Sequence, residues 1–301
     1  MKVISLGECM LEVKVESYPQ ARFGYGGDTF NTAYYLAQLG IDSAYATALG
    51  DDALSQWLLS EWREAGISTP LVRQLPNRSP GIYCIQTDSQ GERQFNYWRQ
   101  NSAARSMLND IQLGQFLSEC EGADLFYFSL ISVAVLEPDS RETLLTLVES
   151  LRSDGVTIVF DNNYRPQLWS DQNQARSWAE RILPLVDIYL PSLEDEAQLF
   201  DIAKADLGQH FNALGIAEIV VKDGAQGCQI LLQDQSTTLA FEPLKPLDTT
   251  AAGDSFNAGY LAARLRKQSP EQAVKAGHRL ASQVIMHPGA LISASELELA
   301  C

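Results

Sequence analysis

Residues 248–256 read Asp-Thr-Thr-Ala-Ala-Gly-Asp-Ser-Phe, and a helical pattern follows from Phe256 to Lys267. Ala251, Ala252 and Gly253 carry so little side chain that their backbone N–H groups can approach an anion closely. The first turn of a helix adds N–H groups without carbonyl partners, and the helix dipole favours negative charge there. Such a cradle holds phosphate without a basic side chain. Asp254 then has two readings. An isolated Asp ahead of a helix most often caps it, accepting from backbone N–H groups. Beside a phosphate cradle it is also placed to take the proton of an alcohol attacking a phosphoryl group.

Other stretches could serve the same chemistry. Gly26-Gly27-Asp28-Thr29-Phe30-Asn31 is a tight turn in which Asp28 caps the helix that follows. It also lets a hydroxylated ligand lie against backbone, with Asp28 and Asn31 aimed at its hydroxyls. Residues 81–87 and 94–99, joined by a turn at Asp88-Ser89-Gln90-Gly91, read as an antiparallel hairpin. Alternation puts Tyr83 and Ile85 on one face of its first strand and Phe95, Tyr97 and Arg99 on one face of its second. That face either packs on a neighbour or meets a ligand; the hairpin alone leaves both open.

Arg165 closes Asp161-Asn162-Asn163-Tyr164-Arg165, just beyond a buried strand. Ligands of open α/β sheets lie past the carboxyl ends of strands. Pro166 keeps Arg165 in extended backbone. A lone surface arginine is usually solvated. The pair Arg99 and Arg165 suits a ligand that carries a carboxylate, because a guanidinium binds a carboxylate through two hydrogen bonds. Val220 to Cys228 is a strand, a turn and a second strand, with Lys222, Gly224 and Gly227 at the turn. Its plain reading is a hairpin with a solvated lysine.

The elements that must position these residues alternate. Strand-like runs cover Val3–Gly7, Asp124–Phe128, Thr157–Asp161, Asp187–Leu190 and Glu218–Lys222. Helical patterns cover Thr29–Leu39, Leu54–Ala65, Arg141–Ser153, Asn173–Leu183, Leu193–Phe200 and Phe256–Lys267. The strands are almost continuously apolar, as strands covered on both faces are. The expectation is a single α/β domain over 1–301 with a doubly wound, mostly parallel sheet.

With 301 residues the chain buries about 75% of its unfolded surface and supports a full core. A net charge of −16 argues against nucleic acid, which attracts basic stripes. No run approaches 18 uninterrupted apolar residues, and the N-terminus lacks a secretory pattern, so the expectation is a cytosolic protein with no membrane partner. Cys9, Cys84, Cys120, Cys228 and Cys301 lie far apart and read as free thiols. His210, His278 and His287 have no ligand spacing, and no metal-ligating set is assigned. There is no P-loop, no GxGxxG and no GxSxG.

Asp248–Phe256 resembles the C-terminal signature of ribokinase-like (PfkB) carbohydrate kinases, D-T-x-G-A-G-D, and Gly26–Asn31 resembles their N-terminal signature. The resemblance spans nearly the whole chain. It departs at Ala251, where the family usually has Gly, as its 2-keto-3-deoxygluconate kinases do not. It departs again at Ser192-Leu193-Glu194-Asp195, where Asn-x-x-Glu is common. The resemblance implies a ribokinase-like fold with a small β lid from residues 8–26 and 80–100. It implies ATP and Mg²⁺ as cofactors, with Asp254 as base and the amides of Ala251, Ala252 and Gly253 on the transferring phosphoryl. Gly26, Gly27, Asp28, Asn31, Tyr83, Tyr97, Arg99 and Arg165 would bind the sugar, and Lys222, Gly224, Gly227, Ser192 and Asn257 the nucleotide. The implied acceptor is 2-keto-3-deoxygluconate, at its terminal hydroxyl. A neutral sugar such as fructose, or a catalytically silent sugar-binding role, is the alternative. The exposed edge of a β lid suits a homodimer through it.

Overall fold

The structure, a computed structural model, describes residues 1–87, 93–233 and 235–297. The expected turn at Asp88–Gly91 lies outside them. The chain runs β1 (Lys2–Leu6), β2 (Met10–Ser17), β3 (Gln20–Gly26), α1 (Asp28–Gln38), β4 (Asp42–Gly50), α2 (Ala53–Glu64), β5 (Ile67–Ser68), β6 (Val72–Leu75), β7 (Ile82–Thr87) and β8 (Arg93–Trp98). It continues through α3 (Leu113–Glu119), β9 (Leu125–Ser129), α4 (Leu130–Val135), α5 (Pro138–Ser153), β10 (Thr157–Asp161), α6 (Gln172–Ile182), β11 (Ile188–Tyr189) and α7 (Leu193–Phe200). The last elements are α8 (Leu207–Ala213), β12 (Glu218–Lys222), β13 (Cys228–Leu232), β14 (Gln235–Leu239), α9 (Ala252–Leu265) and α10 (Pro270–Val284).

The main sheet has the order β14-β13-β12-β11-β10-β9-β1-β4-β5, with β6 also on β4. From β5 to β12 the pairs are parallel, and β13 and β14 close one edge antiparallel. Alternation along each strand sends side chains to two separate cores. Ile4, Leu6, Phe126, Phe128, Ile158 and Phe160 join α5, α6 and α7 on one face. Val3, Leu125, Tyr127, Val159 and Val220 join α1, α9 and α10 on the other. That two-sided burial is why these strands read as unbroken apolar runs, and the expected mainly parallel α/β architecture is the one observed.

Among the elements that go beyond those read from the sequence are β4 and α10. β4 is buried on both faces, and three of its nine residues are alanine, a weak strand former. α10 opens with a capping box, in which Ser269 and Gln272 satisfy each other's backbone N–H groups. A second, four-stranded sheet, β3-β2-β7-β8, holds the two N-terminal strands and the 82–98 hairpin.

Candidate active site

The cradle is shaped from outside by Asp248. Its carboxylate accepts from Thr250 N at 3.0 Å, Thr250 Oγ1 at 2.6 Å and Gly289 N at 2.7 Å. The loop then turns at Ala251, whose φ of 60° and ψ of 16° are left-handed. A Cβ in that region costs about 1–2 kcal/mol, which explains why glycine is usual there. Ala252 N donates to Thr249 O at 3.2 Å, so part of the cradle's donor set is already engaged in the turn.

α9 starts at Ala252, four residues before the pattern that begins at Phe256, because small residues carry no apolar signal. Asp254 therefore lies inside the first turn rather than ahead of it, and the helix has no side-chain cap. Its carboxylate accepts from Asn31 Nδ2 at 2.7 Å. Asp28 is likewise not a cap: Gly27 precedes α1, and Asp28 is its first residue. Its carboxylate accepts from the Ser129 hydroxyl and from Asn163 Nδ2 at 3.1 Å. Gly27 is required by closeness, since an added Cβ would lie 2.0 Å from the Glu8 carbonyl oxygen.

A cleft of about 460 Å³ gathers Gly26, Gly27, Asp28, Asn31, Tyr83, Tyr97, Arg165, Ser192, Lys222, Gly224 and Ala251 through Asp254. The strand ends of one sheet and the hairpin of the other thus meet over α9. Gly227 faces an adjoining cavity of about 340 Å³, whose wall also includes Lys222, Gly224, Ala252 and Gly253. Asn257 stands behind the cleft wall, fully buried.

Burial governs the acid–base chemistry. Burial first, then the neighbouring Asp28, pushes the Asp254 carboxyl up to about 8, against the Asn31 hydrogen bond. Asp28 is also raised by burial, which its hydrogen bonds to Ser129 and Thr29 oppose. Lys222 Nζ sits 2.9 Å from Asp161 Oδ2 and 3.1 Å from Asn257 Oδ1. Burial thus disfavours the ionised form of Asp254 and makes that form more basic, able to accept a proton from an approaching hydroxyl when ionised.

At the far end, Tyr83 and Tyr97 are cross-strand neighbours with ring centroids 6.1 Å apart, and Phe95 stacks on Tyr97. The Tyr83 hydroxyl donates to Glu12 Oε2 at 2.6 Å, and burial with that carboxylate pushes its pKa up. Arg165 keeps the extended backbone expected before Pro166. Its Nη1 donates to the Tyr164 carbonyl at 2.7 Å and lies 3.4 Å from Asp195 Oδ1. Arg99 does not line the cleft. β8 ends at Trp98, and the Arg99 side chain pairs with buried Glu8 instead.

Sequence reasoning passed over Asp161, Asn163 and Asp195, which all face the cleft. The first two lie in the segment singled out for Arg165 alone, and their position past the end of β10 was the available signal. It also missed the wall of the adjoining cavity supplied by α10, where His278 stacks on Phe241 at 3.7 Å between centroids.

A cradle of amides, one buried carboxyl with a raised pKa beside it and a polar acceptor end belong to a phosphotransferase acting on small hydroxylated molecules. Residues 1–297 match the family described as pfkB family carbohydrate kinase, and the chain belongs to that family. It is 41% identical to the 2-dehydro-3-deoxygluconokinase of Escherichia coli K12, over 97% of each chain. It superposes on the crystal structure of 2-dehydro-3-deoxygluconokinase from Thermotoga maritima with a TM-score of 0.84, covering 98% of both chains at 22% identity. A ribokinase II of Escherichia coli, solved in complex with ATP and Mg²⁺, gives a TM-score of 0.83 at 20% identity, covering 96% of this chain and 94% of that one. At those identities the structures share the fold. Among the described residues, no helix is long and apolar enough to cross a membrane.

Proposed function

We propose that this protein is an ATP-dependent kinase of 2-keto-3-deoxygluconate, the same compound as 2-dehydro-3-deoxygluconate, acting at its terminal hydroxyl. The observation that carries the reading is Asp254, with its carboxyl pushed up to about 8, beside an amide cradle in a cleft that also holds Arg165. Asp254 takes the proton of the attacking hydroxyl. The first-turn amides of Gly253 and its neighbours stabilise charge on the moving phosphoryl, with no reorganisation needed at the moment of transfer. Asn31 orients the carboxylate, and Asp28 is the group for the sugar's other hydroxyls. Lys222, Gly224, Gly227 and Ser192 would meet the nucleotide, with Asn257 acting through Lys222.

The acidic start of α7 fits Mg²⁺. Asp195 gives a hard oxygen to the cleft, and this ion uses one or two carboxylates together with phosphates and water. Bound there, it would offset phosphate charge. Arg165 at the cleft mouth is the carboxylate partner that sets an acid sugar apart from fructose, with Tyr83 and Tyr97 as the adjoining wall. The role of Arg99 in sugar binding would require it to leave Glu8. The four-stranded sheet acts as the lid, excluding water that would otherwise accept the phosphoryl group. The reading includes a homodimer through this sheet, supported by its outer face, where Phe23 and Trp98 are 65% and 59% exposed.

The test is a coupled ADP-release assay with Mg²⁺-ATP on the acid sugar and on fructose, for the wild type and Arg165→Ala. Preference for the acid sugar should shrink by about tenfold to a hundredfold in the variant, the scale of a lost hydrogen bond to a charged group. Equal turnover of fructose by the wild type would overturn the acceptor assignment.

A further inference from the structure

Lys222 ends β12 and lines both the acceptor cleft and the adjoining cavity. Its ammonium lies against the cradle, since a Cβ on Gly253 would come 3.9 Å from Nζ. The side chain is only 13% exposed, and that of its ion-pair partner Asp161 only 5%. Two of its three N–H donors go to Asp161 and Asn257, leaving one for a ligand. Asn257 is tied in turn, donating Nδ2 to Asp161 Oδ2 at 2.7 Å and to the Tyr127 hydroxyl at 3.1 Å. A buried ion pair rarely repays its desolvation in stability, so its presence at this junction asks for another reason.

Resting on the kinase reading, we infer that Lys222 is a catalytic residue that stays on the phosphoryl group throughout its crossing, and that Asp161 and Asn257 are the positioning residues that aim it. In the transfer, the acceptor oxygen bonds to the γ-phosphorus. The bond from that phosphorus to the β–γ bridging oxygen breaks, and its electron pair leaves with ADP. The acceptor's proton goes to Asp254. Negative charge spreads over the equatorial oxygens of the group in flight, which pass from one cavity to the other. A point charge fixed at the boundary bears most strongly on them midway across, where the donors of neither cavity hold them fully, whereas a flexible surface lysine would follow one substrate only.

The rival account makes the pair a structural strut. A double variant separates the two. Lys222→Met should lower kcat by about 10²–10³-fold, the scale of one lost charge-stabilising donor, with KM for either substrate little changed. Asp161→Asn should lower kcat by about tenfold, because the ammonium loses its anchor. Asp161→Asn with Lys222→Met removes both charges and leaves no ion buried alone, yet turnover should stay as low as in Lys222→Met. Recovery of wild-type turnover in the double variant would overturn the inference.

The acid limb of the pH profile gives a second readout. Asp161 raises and Lys222 lowers the Asp254 carboxyl, while Asp28, Tyr35 and Tyr127, the other titratable neighbours, stay the same. The limb should move up in Lys222→Met and down in Asp161→Asn; no movement in either would count against the assignment. The comparison is made with whichever sugar the wild type turns over fastest. An enzyme preferring fructose would sink the acceptor assignment and leave this result readable.

Discussion

On the cradle side of the cleft, polar side chains pin one another: Asn31 holds Asp254, Asn257 holds Asp161 and Lys222, and Asp248 holds Thr250 and Gly289. On the opposite side, Phe95 and Tyr97 are 43% and 48% exposed and meet through ring contacts. The cradle is cross-braced through the ends of two strands, β10 and β12, and two helices, α1 and α9. The lid wall belongs to a separate sheet, which the chain enters at β2 and β7 and leaves after β3 and β8. Under the proposed function the contrast reflects two tasks. Charge stabilisation needs dipoles fixed before the reaction, whereas enclosing a sugar needs apolar surface that can be covered and uncovered.

The comparison can be broken most sharply at Asp254. Asp254→Asn should lower kcat by roughly 10²–10⁴-fold while sparing sugar binding, as expected for a lost general base. Unchanged turnover would remove the cradle side from the chemistry. In the wild type, the ionised carboxylate is the active form. The kcat/KM of the free enzyme should therefore fall about tenfold per unit as pH drops below about 8. The sign for stability is the opposite. The unfolded chain ionises this carboxyl from about its ordinary 3.8 and the folded protein only near 8, so stability falls as pH rises between the two. Asp254→Asn should consequently melt above the wild type at pH 8 in a thermal denaturation scan.

A smaller effect is expected on the lid. Trp98 lies on the outer face of β8, opposite Tyr97, and Trp98→Asp should weaken association by about 2 kcal/mol or more. Sedimentation should then give a monomer where the wild type gives a dimer; a monomeric wild type would refute the lid dimer. The smallest effect is expected at Ala251. Ala251→Gly relieves the left-handed strain but frees the unfolded chain, so stability should change by no more than about 1 kcal/mol, with turnover near wild type. A large loss of activity would mean that the Ala251 methyl touches substrate.

Much of the body was legible because its physics is local. Strands such as Thr157–Asp161 and Glu218–Lys222 announce two-sided burial by composition alone. Gly27 marks close backbone approach, and Pro166 marks the extended backbone of Arg165. β4 was not legible, because alanine carries little strand signal until its neighbours cover it. The N-terminal limit of α9 was hidden for the same reason. Arg99 was misjudged by strict alternation, which fails one residue past the end of a strand, where a buried Glu8 offered a closer partner.

The sequence by itself determined which residues could do phosphoryl chemistry and on what kind of scaffold, since small residues, turns and apolar periodicity act over a few neighbours. Only the tertiary structure decided which carboxyl is pushed up to about 8 beside the cradle. Asp28, Asp161 and Asp254 are far apart along the chain and chemically alike. Burial, the Asp161–Lys222 ion pair and the amide of Asn31 make them different, and each of those arises from contacts between elements that the chain brings together only by folding.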